Sequence, residues 1–212
     1  PGSGLIFNSG TLPNSYFYWG FVRTGGLALR WFKDSICRHE EDTYYEKLDS
    51  LAGRYPAGCD GVIFIPYLTG GNGAFQHVRG TFLGLTLDSD QGALWRSVLE
   101  GIGYDYLEIT DLYRHAGICI DKLTVTEGGS RDSLWNQIKA DMLDTQVLTL
   151  EVAGGAVPTN CVVAAYAVHD IIDLKFVLQR KLMPKEVYMP HSEHTVVYRR
   201  NYEKRKNVLR AL

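Results

Sequence analysis

The sequence has little net charge, no closely spaced pair of cysteines and no long apolar run. Each of these absences argues against one class of protein. Its 212 residues carry a formal net charge of −2, so no basic excess argues for nucleic acid. The four cysteines are scattered without a CxxC pair, which favours reduced thiols over a disulfide framework or a zinc site. No segment has the apolar length of a membrane span, and the first residues lack a signal core. We therefore expect a cytoplasmic protein whose partners are neither nucleic acid nor membrane.

The segment Lys122–Leu143 combines a short β-branched run, a glycine pair and an amphipathic helix. Gly128 and Gly129 lie where the predicted strand ends, and the residues after them are good N-caps, whose helix would start with free N–H groups. The N-cap candidates are Ser130, Asp132 and Ser133, and the helical face consists of Leu134, Trp135, Ile138 and Met142. This pattern fits both an anion or nucleotide cradle and a plain strand-to-helix connection.

The familiar nucleotide and nucleophile signatures do not fit this glycine turn. No Gly-Lys-Ser/Thr follows at Walker spacing, and the turn is not GxGxxG. The hydrolase pattern G-x-S-x-G fails because Asp132 occupies its last position. A hydrolase using Ser130 therefore ranks last among the functions considered.

A second strand-glycine-helix junction lies near the start of the sequence. Tyr16–Val22 is dense in aromatic residues and predicts a buried strand, followed by Gly25 and Gly26. The next helix has Lys33 on its predicted solvent side. Two such junctions could face one ligand.

Several charged residues have structural explanations. Asp88 and Asp90 precede a long helical pattern and are interpreted as helix caps before a metal-binding D-x-D. Arg96 and Glu100 have the i, i+4 spacing of a supporting ion pair. The basic helix near the end is expected to be solvated, and includes Tyr198, Arg199, Tyr202 and Arg205.

His191 and His194 have a spacing that could hold a metal ion. Since no cysteine or third histidine is near them in the sequence, an exposed loop is the favoured interpretation. The sequence therefore predicts no metal ligand in this chain.

Three blocks together resemble the FGGY family of carbohydrate kinases, over nearly the whole chain. The first is Ile65-Pro66-Tyr67-Leu68, followed by R-G-T-F-L-G-L at residues 79–85 and R-S-V-L-E-G at residues 96–101. The strongest is G-G-S-R-D-S-L-W-N-Q at residues 128–137, which is similar to the adenine-side motif of the family. The family's loop after the first block normally carries a charged pair and proline, which residues 70–74 lack. In the late helix, residues 160–164, valine replaces a glycine.

The resemblance implies an α/β, actin-like ATPase or ribonuclease-H-like lobe with a mixed central sheet flanked by helices. Residues 1–212 would form the C-terminal, nucleotide-binding lobe of a xylulokinase-like enzyme, with the N-terminal lobe and its catalytic base outside this sequence. The expected function is ATP-dependent phosphorylation of a pentulose or polyol, with Mg²⁺, and the chain alone is expected to be inactive. A homodimer is left open, and the alternative is a non-catalytic nucleotide-binding or interaction module. The positions placed at the nucleotide are Gly26, Arg30, Gly128, Gly129, Ser130 and Ser133.

Overall fold

A computed structural model describes residues 5–10, 14–71, 75–151, 156–170, 173–181 and 183–211. The strands are β1 Ile6–Ser9, β2 Tyr16–Trp19, β3 Ile63–Ile65, β4 Thr81–Leu83, β5 Lys122–Val125, β6 Gln146–Leu150 and β7 Pro184–Tyr188. The helices are α1 Gly25–Trp31, α2 Tyr44–Ala52, α3 Gln91–His115, α4 Ser133–Leu143, α5 Ala156–Ala167, α6 Leu174–Lys181 and α7 Ser192–Ala211. None of the helices in these ranges is both long enough and apolar enough to cross a bilayer. Part of the altered loop, residues 72–74, lies outside the described residues.

A mixed sheet of three strands, in the order β5-β6-β7, confirms the predicted α/β class. β5 and β6 are parallel, with Leu123 opposite Val147, and α4 makes the crossover that a parallel pair requires. β7 is antiparallel to β6, with Tyr188 opposite Val147. The other described strands form two antiparallel pairs, β1 with β2 and β3 with β4.

Helix α3 lies at the centre of the hydrophobic core. Its predicted N-cap is confirmed, because Asp90 Oδ1 accepts hydrogen bonds from the Gly92 and Ala93 N–H groups at 2.7 and 3.1 Å. Gly101 permits a close approach to β3, since a Cβ at that position would lie 2.5 Å from the Phe64 carbonyl oxygen. The fully buried side chains on this helix include Val98, Leu99, Ile102 and Leu107.

The predicted Arg96–Glu100 ion pair exists, but it is buried and joins three parts of the chain. Arg96 Nε lies 2.7 Å from Glu100 Oε1, and both residues are at most 6% exposed. The same carboxylate oxygen accepts from the Gly58 N–H and from the Tyr198 hydroxyl, each at 3.1 Å. Burial raises the pKa of Glu100, and the Arg96 guanidinium opposes that rise. This family motif therefore anchors α7 and the Gly58 turn to α3.

The prediction of a buried strand at residues 16–22 is wrong in both length and burial. β2 ends at Trp19, and all four of its residues are exposed. Its aromatic side chains contact one another across the hairpin, as in the stacked rings of Phe7 and Tyr16, 5.4 Å apart. The aromatic content of this segment correctly predicted a strand. Whether the strand is buried depends on which other element packs against it.

Two basic residues predicted to face solvent are buried. Lys33 is 2% exposed, because its ammonium donates to the Glu40 carbonyl at 2.6 Å and pairs with Asp34 at 2.7 Å. Arg205 has no exposed surface and is paired with Asp105 on α3. The solvated-helix interpretation of α7 is therefore wrong at Arg205, where the helix packs on α3.

Candidate functional site

The glycine turn after β5 has the form of a small open cradle. The chain leaves β5 through Glu127, whose φ of 61° turns the backbone sharply, and forms a single 3₁₀ turn over Gly128–Ser130. Among the described residues, apart from the chain neighbours, no heavy atom lies within 4 Å of a Cβ built on Gly128, so this part of the chain leaves open space beside it. A Cβ on Gly129 would lie 3.0 Å from the Trp135 ring. Backbone at this turn can therefore approach a ligand closely on the Gly128 side.

Two buried side chains of α4 hold the carbonyl groups of the turn. Lys139 Nζ donates to the Gly129 carbonyl at 2.9 Å and to Asn136 Oδ1 at 3.0 Å. Asn136 Nδ2 donates to the Ser130 carbonyl at 2.8 Å. Lys139 also lies 3.8 Å above the Trp135 ring, a cation–π contact, and burial lowers its pKa to about 8.

Two backbone amide groups of the turn, those of Gly128 and Gly129, are available to bind a ligand. Within the part of the chain that the structure describes, the N–H groups of Gly128 and Gly129 have no hydrogen-bond acceptor. The next two amides are used, since Ser130 N donates to Glu127 and Arg131 N to Gly128. Free backbone N–H groups beside open space suit an anionic oxygen.

The three polar residues after the glycines have different roles. Asp132 is the cap of α4, because its Oδ1 accepts from the Trp135 N–H at 2.9 Å. Ser130 is buried, and its hydroxyl donates to the Glu127 carbonyl at 2.7 Å. Ser133 is exposed at the first position of α4. Among the two serines placed at the nucleotide, only Ser133 presents an exposed side chain, whereas Ser130 is used inside the turn.

A carboxyl pair beside the turn was not found from the sequence. Asp49 on α2 lies close enough to Asp132 for the two carboxyl charges to repel each other, and the Trp95 indole donates to Asp49 at 2.7 Å. Burial, then the Asp132 charge, raise the pKa of Asp49 to about 7, and burial also raises that of Asp132. No local signal could have paired residues 83 positions apart, because only the packing of α2 brings them together.

The second predicted junction is present at the start of α1. Thr24 is buried with its hydroxyl bonded to the Pro66 carbonyl, and α1 starts at Gly25. Gly26 is exposed, with no atom of the described residues beyond its chain neighbours within 4 Å of a built Cβ, and Arg30 is exposed near the end of α1. The structure therefore leaves both predicted residues accessible, while Gly128–Ser130 and Ser133 lie together in the other turn.

An apolar cavity of about 810 Å³ opens between β2 and β5. Of the six residues placed at the nucleotide, only Gly129 lines it, together with Trp135 and Lys139. Within the described residues, β5 pairs with β6 alone, so its other edge faces this cavity. The remaining walls are formed by residues of β2, α3 and β6, including Trp19, Tyr106, Ile109 and Val147.

Comparison with known proteins identifies relatives along most of the sequence. A family model for the C-terminal domain of the FGGY family of carbohydrate kinases matches residues 5–168. A xylulose kinase of Staphylococcus epidermidis is 27% identical over 200 residues, covering 93% of this chain and 39% of the relative. A gluconokinase of Bacillus licheniformis is 28% identical over 226 residues, covering 99% of this chain and 42% of the relative. The chain thus spans about two fifths of the length of these relatives.

Solved structures show the same fold. The crystal structure of xylulose kinase from Rhodospirillum rubrum superposes with a TM-score of 0.85 and 26% sequence identity. The similarity covers 99% of this chain and 42% of that one. The actin-like fold expected from the sequence motifs is therefore confirmed.

Proposed function

Because the chain belongs to the FGGY family of carbohydrate kinases, we propose that it is the C-terminal lobe of such a kinase and forms the nucleotide side of its cleft. The reaction would transfer a phosphoryl group from ATP to a small carbohydrate, with the acceptor bound largely by a first lobe. The names of the relatives, a xylulose kinase and a gluconokinase, support a pentulose or another small sugar or polyol as the acceptor.

The observation that carries this proposal is the pair of amide groups at Gly128 and Gly129, which have no acceptor within the described residues, together with the open space beside Gly128. Phosphate oxygens are strong acceptors, and backbone N–H groups fixed in place bind them without reorganisation. Lys139 fixes the turn from the other side through the Gly129 carbonyl. These residues fit the phosphates of a nucleotide, and Ser133 adds an exposed hydroxyl at the start of α4.

ATP, when bound, supplies the transferable phosphoryl group, and this chain would position it. In phosphoryl transfer, most of the catalytic effect comes from orientation and from stabilising negative charge. Gly128 and Gly129 would hold negative oxygens, while Gly26 and Arg30 on α1 offer a second accessible surface for the same ligand. The turn would therefore bind and orient the nucleotide phosphates, and we assign it no role in proton transfer.

Mg²⁺ would be coordinated by the phosphate oxygens of the nucleotide and not by carboxylates near this turn. Asp132 caps α4, and Asp49 accepts a hydrogen bond from the Trp95 indole. Burial raises the pKa of both half-buried carboxyls, which disfavours the ionised form that a hard cation needs. We therefore assign no magnesium ligand to them.

The base that accepts the proton of the sugar hydroxyl is expected on the first lobe. Asp90 and Asp132 both cap helices, and Asp88 is exposed in the turn before α3, where its N–H donates to Thr86. A hydroxyl group is a weak nucleophile until a positioned base takes its proton. The chain by itself should therefore bind nucleotide without phosphorylating sugar.

The test measures binding and turnover separately. Calorimetry with ATP and Mg²⁺ on this chain should show one binding event, and ADP release should depend on a pentulose or polyol only in a protein that includes the first lobe. Sugar-dependent ADP release by this chain alone would contradict the two-lobe assignment. If the chain binds nucleotide but the two-lobe protein has no kinase activity, the result would instead support a non-catalytic module. The absence of nucleotide binding would refute the site.

A further inference from the structure

Two histidines and a buried carboxylate meet where β7 leads into α7. His191 precedes α7 and His194 lies in its first turn, while Asp141 belongs to the last turn of α4. Nδ1 of His191 lies 3.0 Å from Asp141 Oδ1, and Nδ1 of His194 lies 2.7 Å from Oδ2. Three potential metal-ligand atoms, one from each residue, lie within 4.8 Å of one another.

From this arrangement we propose that Asp141, His191 and His194 bind a divalent transition-metal ion such as Zn²⁺. Two imidazoles and one carboxylate are a ligand set suited to zinc, whereas Mg²⁺ and Ca²⁺ prefer oxygen ligands. Zinc bonds of about 2.0–2.2 Å to nitrogen and oxygen place neighbouring ligand atoms roughly 3 Å apart. The two histidine–carboxylate separations, 3.0 and 2.7 Å, are close to that distance, and all three ligand atoms lie within 4.8 Å of one another.

The surroundings support the carboxylate and leave the ion accessible. The Asp141 side chain is 4% exposed, and Oδ1 also accepts from the His191 N–H at 2.9 Å and from Gln137 Nε2 at 2.7 Å. Such outer hydrogen bonds fix the orientation of a ligand. The imidazoles are about half exposed, with side-chain exposures of 51% for His191 and 41% for His194. Solvent can therefore reach the ion and fill its remaining coordination position.

Electrostatics at the two helix ends act in opposite directions. The carboxyl end of α4 favours a cation near Asp141, whereas the amino end of α7 disfavours one near His194. The full charge of the Asp141 carboxylate outweighs these partial charges at closer range. The site lies about 13 Å along α4 from the cap residue Asp132, nine residues earlier, so it is distinct from the glycine turn.

Metal binding here would fasten the start of α7 to α4. Thr195 already donates to the Asp141 carbonyl at 2.7 Å, so the two helices meet at this point. Farther along, α7 buries Tyr198 and Arg205 in the core. A ligand that binds only the folded arrangement raises its stability by mass action. Zinc should therefore raise the melting temperature of the protein.

The test is zinc calorimetry and thermal unfolding of the full chain, with Cys119 and Cys161 replaced by serine because both thiols are exposed. Zn²⁺ should bind with one-to-one stoichiometry and raise the melting temperature. His191→Gln with His194→Gln should weaken binding by more than the roughly 10–100-fold loss typical when only a hydrogen-bond partner of a ligand is replaced. The double variant should remain folded without metal, because both imidazoles are largely at the surface.

The matched control is His77→Gln, an exposed histidine elsewhere, which should bind zinc as the parent does. Co²⁺ provides a second readout, since bound cobalt absorbs visible light in a way that reports imidazole ligation. Equal zinc binding by parent and double variant would overturn the proposal, as would an absence of binding by the parent. The cluster would then be only a hydrogen-bonded anchor for α7. Neither result depends on nucleotide binding.

Discussion

Gly129 lies directly against the ring of Trp135, so that a Cβ added to the glycine would come within 3.0 Å of Cζ3. Within the described ranges, no atom beyond its chain neighbours lies within 4 Å of a Cβ built on Gly128. The two glycines of the family motif therefore serve different purposes. Gly128 faces the open side of the turn, whereas Gly129 also makes room for a core residue.

Substitution of the two glycines should separate binding from stability. Gly128→Val should abolish ATP binding, as measured by calorimetry, without changing the melting temperature, because its side chain would occupy only the open space. Gly129→Val should lose both binding and stability, since it displaces Trp135. Undiminished ATP affinity in a folded Gly128→Val protein would remove the turn from the nucleotide site.

Trp135 should be structural despite its place in the motif. It is 4% exposed, and its indole N–H donates to the Leu99 carbonyl at 3.2 Å. Trp135→Ala should lower the free energy of unfolding by about 3–5 kcal/mol, as for other buried aromatic truncations. Urea unfolding measures the loss, and Trp135→Phe should lose less because most of the volume remains. An alanine variant of unchanged stability with weakened ATP binding would reverse the assignment.

The Asp49 carboxyl should make stability depend on pH. Its pKa is raised from an ordinary 3.8 to about 7 in the folded protein, chiefly by burial, so the folded state holds a proton that the unfolded chain has released. The contribution of Asp49 is fully present below pH 3.8 and is lost as the pH rises through about 7. Asp49→Asn, which cannot titrate, should therefore become more stable relative to the parent between pH 5 and pH 8.

Urea unfolding of both proteins at the two pH values gives the comparison. The asparagine can still accept the hydrogen bond of the Trp95 indole, so the substitution preserves that contact. Since the stability difference is taken at each pH, titrating groups that do not interact with Asp49 cancel, and a parallel series with Asp132→Asn measures the contribution of its neighbour Asp132. The same difference at both pH values would show that Asp49 ionises normally in the folded state.

The buried Arg96–Glu100–Tyr198 group should be sensitive to the loss of any member. The Tyr198 hydroxyl accepts from Arg96 at 2.9 Å and donates to Glu100 at 3.1 Å. Tyr198→Phe should cost about 1.5–3 kcal/mol of unfolding free energy, the range for hydrogen bonds to charged groups. Glu100→Ala should cost about 3–5 kcal/mol, because it leaves the guanidinium buried without its partner.

Tyr202→Phe is the matched control for this network. Tyr202 lies one turn later on α7 and is also buried, at 4% exposure against 0% for Tyr198, but its hydroxyl has no hydrogen bond within the described residues. Chemical denaturation should therefore show little change in that variant. A Tyr198→Phe protein as stable as the Tyr202→Phe protein would mean that the network adds nothing to the fold.

Local chemistry in the sequence determined the elements around the turn. β-branched alternation placed a strand before Gly128, helical spacing placed Trp135 on a core face, and aspartates before two helices became their caps. These features depend on residues within one or two turns of each other, so the order of the residues along the sequence is enough to predict them. The family motifs add the nucleotide assignment, which no local pattern settled.

The tertiary structure alone decided which charged and polar residues meet. Helical spacing predicted that the side chains of Lys33 and Arg205 face solvent, but both are buried. Each donates to an acceptor that lies outside its own helical face. His191 and His194 lacked a third ligand until the fold placed Asp141, 50 residues earlier, between them. Periodicity shows which residues share a face but not what packs on that face, because such contacts join distant segments whose approach is set by the whole core.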